Sequence, residues 1–436
     1  MAGRLLPGCF EDIIVSISLV RPGPLKSNMD KSYLARRHGA EPVTYLHYSL
    51  KNALEETLGV ILYQEQVLRV AHDLGGMSYA EADGFRRAMT HERTGAEMEN
   101  MRDIFISGAL KNGVSQDIAQ KVFEQLAAFA AYGFCKAHAV AYAILTYQML
   151  WLKCHYPAEF FAALLSNQPM GYYPPRVLIA DARRFGVRIL PLDVNNSLTD
   201  YSVENGAIRI GFLQLKGISG EDIQSILKAR NQKKFVSLQD FVMRTGVSRP
   251  ILIKLTKIGA FDAIDDRRKL LAMLPSLHKI SGKVDGICLN LFTEDMFQVW
   301  DNATASPEYN IRENLLVEKE LLSLDLCAHP LDLHNLGDDF TRIKELPAIA
   351  TGTIIKIAGS VIRYQTPPTR NGKRVVYVIM EDGTGIADIT VFSDVQERCG
   401  QVLFRAGWLI VEGKVQRRGP KAVSIIALEL MPLNFD

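Results

Sequence analysis

No Cys-x-x-Cys pair occurs in this chain of 436 residues; its six cysteines, Cys9, Cys135, Cys154, Cys288, Cys327 and Cys399, are scattered. That spacing removes the common zinc frameworks and fits reduced thiols of a cytosolic protein. No run reaches the ~18 apolar residues of a membrane span, and the N-terminus lacks the apolar core of a signal peptide. The expectation is a soluble cytoplasmic protein. Charge of one sign is not in excess either: 50 Lys and Arg stand against 48 Asp and Glu, a net +2. A near-neutral total leaves a basic nucleic-acid face possible, because such a patch can hide in it. Asp-x-Asp and His-x-His are also missing, so the compact pairs that hold catalytic metal ions are not in view. There is no whole-chain repeat and no low-complexity tract.

What is present suggests two to four domains at roughly 150 residues each. A hydrophobic content of 48% is enough for packed cores. Residues 1 to about 165 read as helical, with apolar residues at helical spacing in Leu54–Leu74 and Val122–Phe129. Gly75-Gly76 ends one helix, and Ser78 with Glu81 forms a capping box for the next. Asn167 to Tyr201, rich in Pro and Asn, reads as a hinge or strap. Short helices separated by glycines return over 205 to 270, and 280 to 310 reads as loosely structured. From about 350 the period becomes two. TGTIIKIAGSVI, VVYVIMED, IADITVF, WLIVEGKVQ and AVSIIALEL are five short strands, which suggests a small closed barrel.

The chemistry-bearing residues fall in several places. Lys136 and His138 follow a Tyr-Gly-Phe break and open a long Ala-rich apolar helix, Tyr132 to Phe160 overall. A helix N-terminus favours phosphate, and Lys136 adds a mobile cation. A buried helix with a solvated lysine and a core histidine fits the pattern equally well. Arg86 and Arg87, in Asp83 to Met89, are forks that match phosphate oxygens. Adjacent residues diverge by about 100° on a helix, so one of the two should point inward. Arg21 stands before a rigid Pro22-Gly23-Pro24 turn. Lys216-Gly217-Ile218-Ser219-Gly220, ahead of a helix carrying Lys228 and Arg230, suits a helix-hairpin-helix that grips DNA phosphates through backbone N–H groups. Residues 254–261 have the same flavour. An ordinary glycine-terminated turn is the other reading. On the barrel, Arg363, Tyr364, Arg370, Lys373, Arg374, Tyr377 and Phe392 could form a basic groove with stacking aromatics. Tyr377 and Phe392 suit a core as well.

Several of these segments resemble the bacterial DNA polymerase III alpha subunit, a C-family DNA polymerase. They are the Tyr132–Phe160 stretch, the RPGP turn, Gly59–Gln66, the RRAM segment and TRNGKRVVYVIMEDGTGIADITVF. The resemblance runs in family order over nearly the whole chain. It implies a multidomain α+β architecture: an α-helical polymerase fingers domain over 1–200, a helix-hairpin-helix DNA-binding domain over 201–275, a linker over 276–345 and a C-terminal OB-fold β-barrel over 346–436. It further implies that Arg86, Arg87, Lys136, His138 and Arg21 face the incoming deoxynucleoside triphosphate, with Gln64 and Gln66 near the site. Lys216, Gly217, Gly220, Lys228, Arg230, Arg363, Arg370, Lys373, Arg374 and Tyr377 would face DNA.

The family's palm aspartates, which hold Mg2+, have no counterpart here, so the expected reading is a C-terminal part that is inactive alone. A palm-containing polypeptide, primer-template DNA, the sliding clamp and other replication subunits are the expected partners. Leu291-Phe292 or Met296-Phe297 would enter the clamp, although the usual Gln is replaced by Cys288 or Thr293. Asn167–Tyr173 and Asp181–Arg184 resemble the error-prone branch and Lys136–His138 the replicative one. A non-catalytic DNA-binding module, or a gene fragment without function, is the alternative.

Overall fold

A computed structural model describes residues 1–20, 29–90, 95–130, 134–277, 309–367 and 374–434. It divides into two compact units, Met1–Trp151 with Arg417–Val423, and Leu152–Gln416 with Ser424–Asp436.

The first unit is helical. Its helices include Phe10–Leu19, Met29–Arg37, Gln64–Asp73, Tyr79–Thr90, Gly95–Lys111 and Gln116–Ala130, and the helix Lys136–His155 begins in it. The Phe10 helix starts where Asp12 accepts the N–H groups of Gly8 and Cys9, at 2.8 and 3.2 Å. Arg37, 2.6 Å from the same buried carboxylate, neutralises it. The capping box of the Tyr79 helix is present, with Ser78 N–H donating to Glu81 at 2.8 Å and Glu81 N–H donating to Ser78 at 3.3 Å. The helical spacing over Leu54–Leu74 is interrupted. Gly59 adopts a φ of +78°, the next residues are extended, and the helix starts only at Gln64.

Phe85, Phe105 and Phe123 pack together in the core with ring centroids 5.8 to 6.3 Å apart, Phe85 and Phe105 stacked and Phe123 edge-on to Phe85. Gly108 lets the Gly95 helix cross the turn at Gly75, because a β-carbon there would sit 1.9 Å from the Gly75 carbonyl oxygen. Gly108→Ala is expected to lower stability by about 1–3 kcal/mol, as overpacking does, measured as a lower urea midpoint. An unchanged midpoint would show that the crossing can open at no cost.

The Lys136–His155 helix is not the buried one that pattern alone allowed. Ala139 and Ala143 are its buried residues, set against Leu5, Ile14 and Leu62. Tyr142, Ile144, Leu145, Tyr147, Met149 and Leu150 are exposed.

The second unit begins with helices Pro157–Ser166 and Pro175–Arg184. The second of these lies in the segment read as a strap, which also carries a short strand at Ile189–Leu190. Strands β1 Ile189–Leu190, β2 Ser202–Glu204 and β3 Ala207–Arg209 form a small sheet in the order β1-β3-β2. Helices Gly220–Gln232, Leu238–Thr245, Arg249–Lys257, Arg267–Leu277 and Ile311–Leu322 follow. They share one core with β3 and the Pro157 helix, built on Phe161, Phe212, Phe241 and Phe261.

Strands β4 Ile354–Gln365, β5 Val376–Glu381, β6 Ile386–Val391, β7 Trp408–Gly419 and β8 Ala422–Pro432 close a barrel in the order β4-β5-β6-β8-β7. Alternation fills it: Val376, Val378 and Met380 of β5 are fully buried. The β4–β5 register shifts between Val361 and Arg363. Helix Ser393–Arg405, unmarked in the strand pattern, joins β6 to β7.

A buried charge cluster ties the Pro175 helix to the barrel. Arg176 Nη1 lies 2.5 Å from Glu381 Oε1 and 2.7 Å from Ser360 Oγ. Glu381 also accepts from Ser360 Oγ at 3.0 Å and from Gly383 N–H at 2.9 Å, and His329 Nε2 is 3.4 Å away. Burial alone would raise the Glu381 carboxyl. Its hydrogen bond and charge interaction with His329, then Arg176, outweigh burial and hold it down at about 2.

Candidate functional site

The dipeptide Gln64-Glu65 organises the candidate site of the first unit. Gln64 opens its helix with its N–H donating to the Phe134 carbonyl at 2.8 Å, and its Oε1 accepts from Arg86 Nη1 at 3.2 Å. The Glu65 carboxylate accepts the Lys136 N–H at 3.0 and 3.1 Å and lies 3.3 Å from Cys135 Sγ. One short segment therefore joins Arg86 to the start of the Lys136 helix. The N-terminal N–H of that helix, read from sequence as a phosphate site, is already bonded to a carboxylate. The physical reason is that an internal anion meets the need that a helix N-terminus creates.

The cations are also held internally. Asp83 accepts from Arg86 Nε and Nη2, at 3.1 and 2.8 Å, and pairs with Arg87. The hydrogen bond from Arg86, followed by that from Arg87, keeps the Asp83 carboxyl below its usual range. Arg86 is 23% exposed and Arg87 68%, so Arg86 is the inner of the two. Lys136 Nζ pairs with Glu56 and stands 5.5 Å from the Tyr63 ring centroid. His138 is exposed, with its ring edge-on to Phe134 and Tyr142. Gln66 is fully buried and bonded to backbone and Thr57, so it holds the fold rather than facing a ligand. Asp83 was legible, since it sits three and four residues before the two arginines. Glu56 carried no such signal.

In the second unit Gly217 has a φ of +82°, and Ser219 caps the Gly220 helix. Lys216 Nζ donates to the Glu320 carbonyl at 2.7 Å, at the end of the Ile311 helix. Arg230 donates to the carbonyls of Val194 and Ser197, and burial lowers its basicity. Both side chains are thus engaged in the fold, whereas Lys228 is exposed.

On the barrel, the Arg363 guanidinium lies 3.8 Å from the Tyr172 ring centroid, and Arg374 lies 5.3 Å from that of Phe404. Tyr377 is half-buried, opposite Gln365 and Thr390. Arg21, Arg370, Lys373 and the clamp candidates Leu291, Phe292, Met296 and Phe297 lie outside the described residues. Among the described residues no group of three or more His, Cys, Asp or Glu side chains could hold a metal ion. Among them, too, no helix is long and apolar enough to cross a membrane.

Comparison with known proteins agrees with this architecture. The bacterial DNA polymerase III alpha subunit finger domain matches residues 1–113, a helix-hairpin-helix motif 186–271, and an OB-fold nucleic acid binding domain 346–433. The error-prone DNA polymerase of Symbiobacterium thermophilum is 38% identical over 468 residues, covering 96% of this chain and 43% of that protein. That of Teredinibacter turnerae is 36% identical over 434 residues, covering 97% and 41%. The DNA polymerase III subunit alpha of Escherichia coli is 35% identical over 436 residues, covering 94% and 37%. The chain spans about two-fifths of the length of these curated relatives. Fingers, hairpin and barrel follow one another as three matched domains, which together with these relatives support a C-terminal part of a C-family DNA polymerase of the polymerase III alpha type.

Proposed function

We propose that this chain serves DNA-directed DNA synthesis in replication by binding the incoming nucleotide and the primer-template, while the metal-holding carboxylates come from palm residues outside it. The observation that carries this reading is the junction at Gln64-Glu65, which gathers Arg86, Arg87 and Lys136 around one short segment. Arg forks and a lysine suit a triphosphate. In this reading residues 1–200 act as fingers, with Arg21 and His138 adding to the nucleotide-binding role of the three cations. Residues 201–275 hold duplex phosphates through Gly217, Gly220 and Lys228, with Lys216 in the turn before the Gly220–Gln232 helix and Arg230 on that helix. Residues 276–345 link to the barrel, with Leu291, Phe292, Met296 and Phe297 as the clamp contact. Residues 346–436 take the single strand along Arg363, Arg370, Lys373, Arg374 and Tyr377. Mg2+ and deoxynucleoside triphosphates are the cofactor and substrates of the complete polymerase, and the cytoplasm is its place of work.

Primer extension tests the reading. The chain with primer-template, Mg2+ and deoxynucleoside triphosphates is expected to bind the DNA, with log Kd rising steeply against log salt as counterions are released. It is expected to give no extended product. Adding a palm-bearing polypeptide of the family should restore extension, and Arg86→Ala should then lower kcat/KM for the nucleotide by about 10²-fold. Extension by the chain alone would overturn the division of labour. A salt slope near zero would overturn the DNA-binding role.

A further inference from the structure

Tyr172 is a large aromatic left in solvent. It is 69% exposed, in the irregular segment between the Pro157 and Pro175 helices. Its ring nevertheless has a fixed partner, because the Arg363 guanidinium of β4 lies 3.8 Å from the ring centroid. A guanidinium at that distance is held by the ring quadrupole. Arg363 Nη1 is buried without a hydrogen-bond acceptor among the described residues, consistent with a donor directed at a π face. Arg363 sits where the β4–β5 register shifts, and such a bulge re-aims a side chain.

The segment is anchored on both sides. Gln168 Nε2 donates to the Leu164 carbonyl at 3.1 Å. Beyond Tyr172, Arg176 bonds Ser360 of β4 and Glu381 at the end of β5. Docking of this segment onto the barrel is thus supplied by Arg176, and an exposed tyrosine is not required for it. Arg363 lies two residues before β4 ends at Gln365 and the chain enters the connection to β5. In OB-folds that connection is one of the loops that meets nucleic acid.

We propose that Tyr172, backed by Arg363, is a base-stacking platform for single-stranded DNA at the rim of the barrel, contributed from outside the barrel itself. One base stacks on the open face of the ring, and the guanidinium behind it draws the adjacent phosphate. Pre-anchoring by Arg176 means that little freedom is lost on binding. The inference rests on the reading above that the barrel takes a single strand, and it adds the residue that receives a base.

The test is fluorescence anisotropy of the full chain with a labelled oligodeoxythymidylate of about 16 nucleotides and with an abasic strand of equal length, across a salt series. Wild type is expected to prefer the strand that carries bases. Tyr172→Phe should stay within about twofold of wild type. Tyr172→Leu, which keeps apolar bulk without a π face, should weaken binding by about tenfold, lose preference against the abasic strand and leave the salt slope unchanged. Arg363→Gln should reduce that slope by about 0.7, the share of one phosphate on a single strand. If wild type binds and Tyr172→Leu binds equally well, the platform is wrong while the barrel reading stands. If Tyr172→Leu loses affinity equally for both strands, its role is structural and the platform is also wrong. If wild type binds neither strand, the single-strand reading of the barrel falls with it.

Discussion

Arg176→Ala is expected to cost the second unit about 3 kcal/mol or more. The reason is the state of the partner left behind: Glu381 has 2% of its side chain exposed, and Arg176 is its nearest cation at 2.5 Å. Removing one member of a buried pair strands the other, which is far more damaging than losing a surface bridge. Ser360, Gly383 N–H and His329 remain, so the carboxylate is weakened rather than orphaned. Urea unfolding followed by Trp408 fluorescence, with Trp151 and Trp300 replaced by Phe, measures the cost. Changing both partners to Met should be milder than Arg176→Ala, because no buried charge is left alone. An equal or greater loss in the double variant would assign the stability to the ion pair itself.

The same cluster sets an acid limit. Glu381 titrates at about 2 when folded, against an ordinary value of 4.5. A depressed carboxyl contributes stability that is fully present above the unfolded value and is lost as pH falls through the folded one. The contribution should therefore shrink between about pH 4.5 and 2 in wild type. In Arg176→Ala that acid-side loss should be smaller, since less of the depression remains to be lost. A parallel acid limb in both proteins would remove Arg176 as a cause.

Gln66→Ala is expected to be as severe in the first unit. Gln66 Oε1 accepts the N–H groups of Leu62 and Tyr63, at 2.8 and 3.1 Å. Its Nε2 donates to the Ala53 carbonyl and Thr57 Oγ1, at 3.2 and 2.7 Å. Truncation leaves these groups unpaired in the core, at about 1–3 kcal/mol for each that finds no water. A loss of about 3 kcal/mol in urea unfolding is the expected result, and a loss below about 1 kcal/mol would show that water enters the space.

Gln66→Glu separates acceptor from donor. A carboxylate keeps the two N–H groups but faces the Ala53 carbonyl, whereas a protonated carboxyl can donate to it. Burial raises such a group, so this variant should gain stability relative to wild type as pH falls. Because Leu62 and Tyr63 lead directly into Gln64-Glu65, either change should also loosen the grip of Glu65 on Lys136.

The barrel was legible because its strands alternate with period two, and the hairpin because Gly217 and Gly220 bracket an apolar residue between short helices. Gln66, expected near the site, is bonded within the fold to Leu62, Tyr63, Ala53 and Thr57. A motif marks a place in the chain, but only packing tells a side chain that faces a ligand from one that closes a loop. Arg230 and Lys216 make the same point, since both are cations at a DNA-binding motif that donate to carbonyls of the fold. The Arg176–Glu381 pair was not legible at all. Its partners are 205 residues apart, and no local period records such a distance. Tyr172 lies outside every periodic segment, so the sequence marks it only as part of the strap and of the Asn167–Tyr173 resemblance to the error-prone branch.

The pairing of cations and carboxylates around Gln64-Glu65 has a further consequence, for selectivity by valence. Arg86, Arg87 and Lys136 are balanced by Asp83, Glu56 and Glu65, so a phosphate site built from them would behave as an ion exchanger already loaded with its own counter-charges. A singly charged visitor exchanges one ion pair for another and gains almost nothing. A polyanion long enough to reach several cations makes the exchanges together and gives up its freedom of movement only once. Under the proposed nucleotide-binding role, discrimination against stray phosphate and monophosphates would follow from the number of charges a ligand presents at once, without any pocket shaped to exclude them.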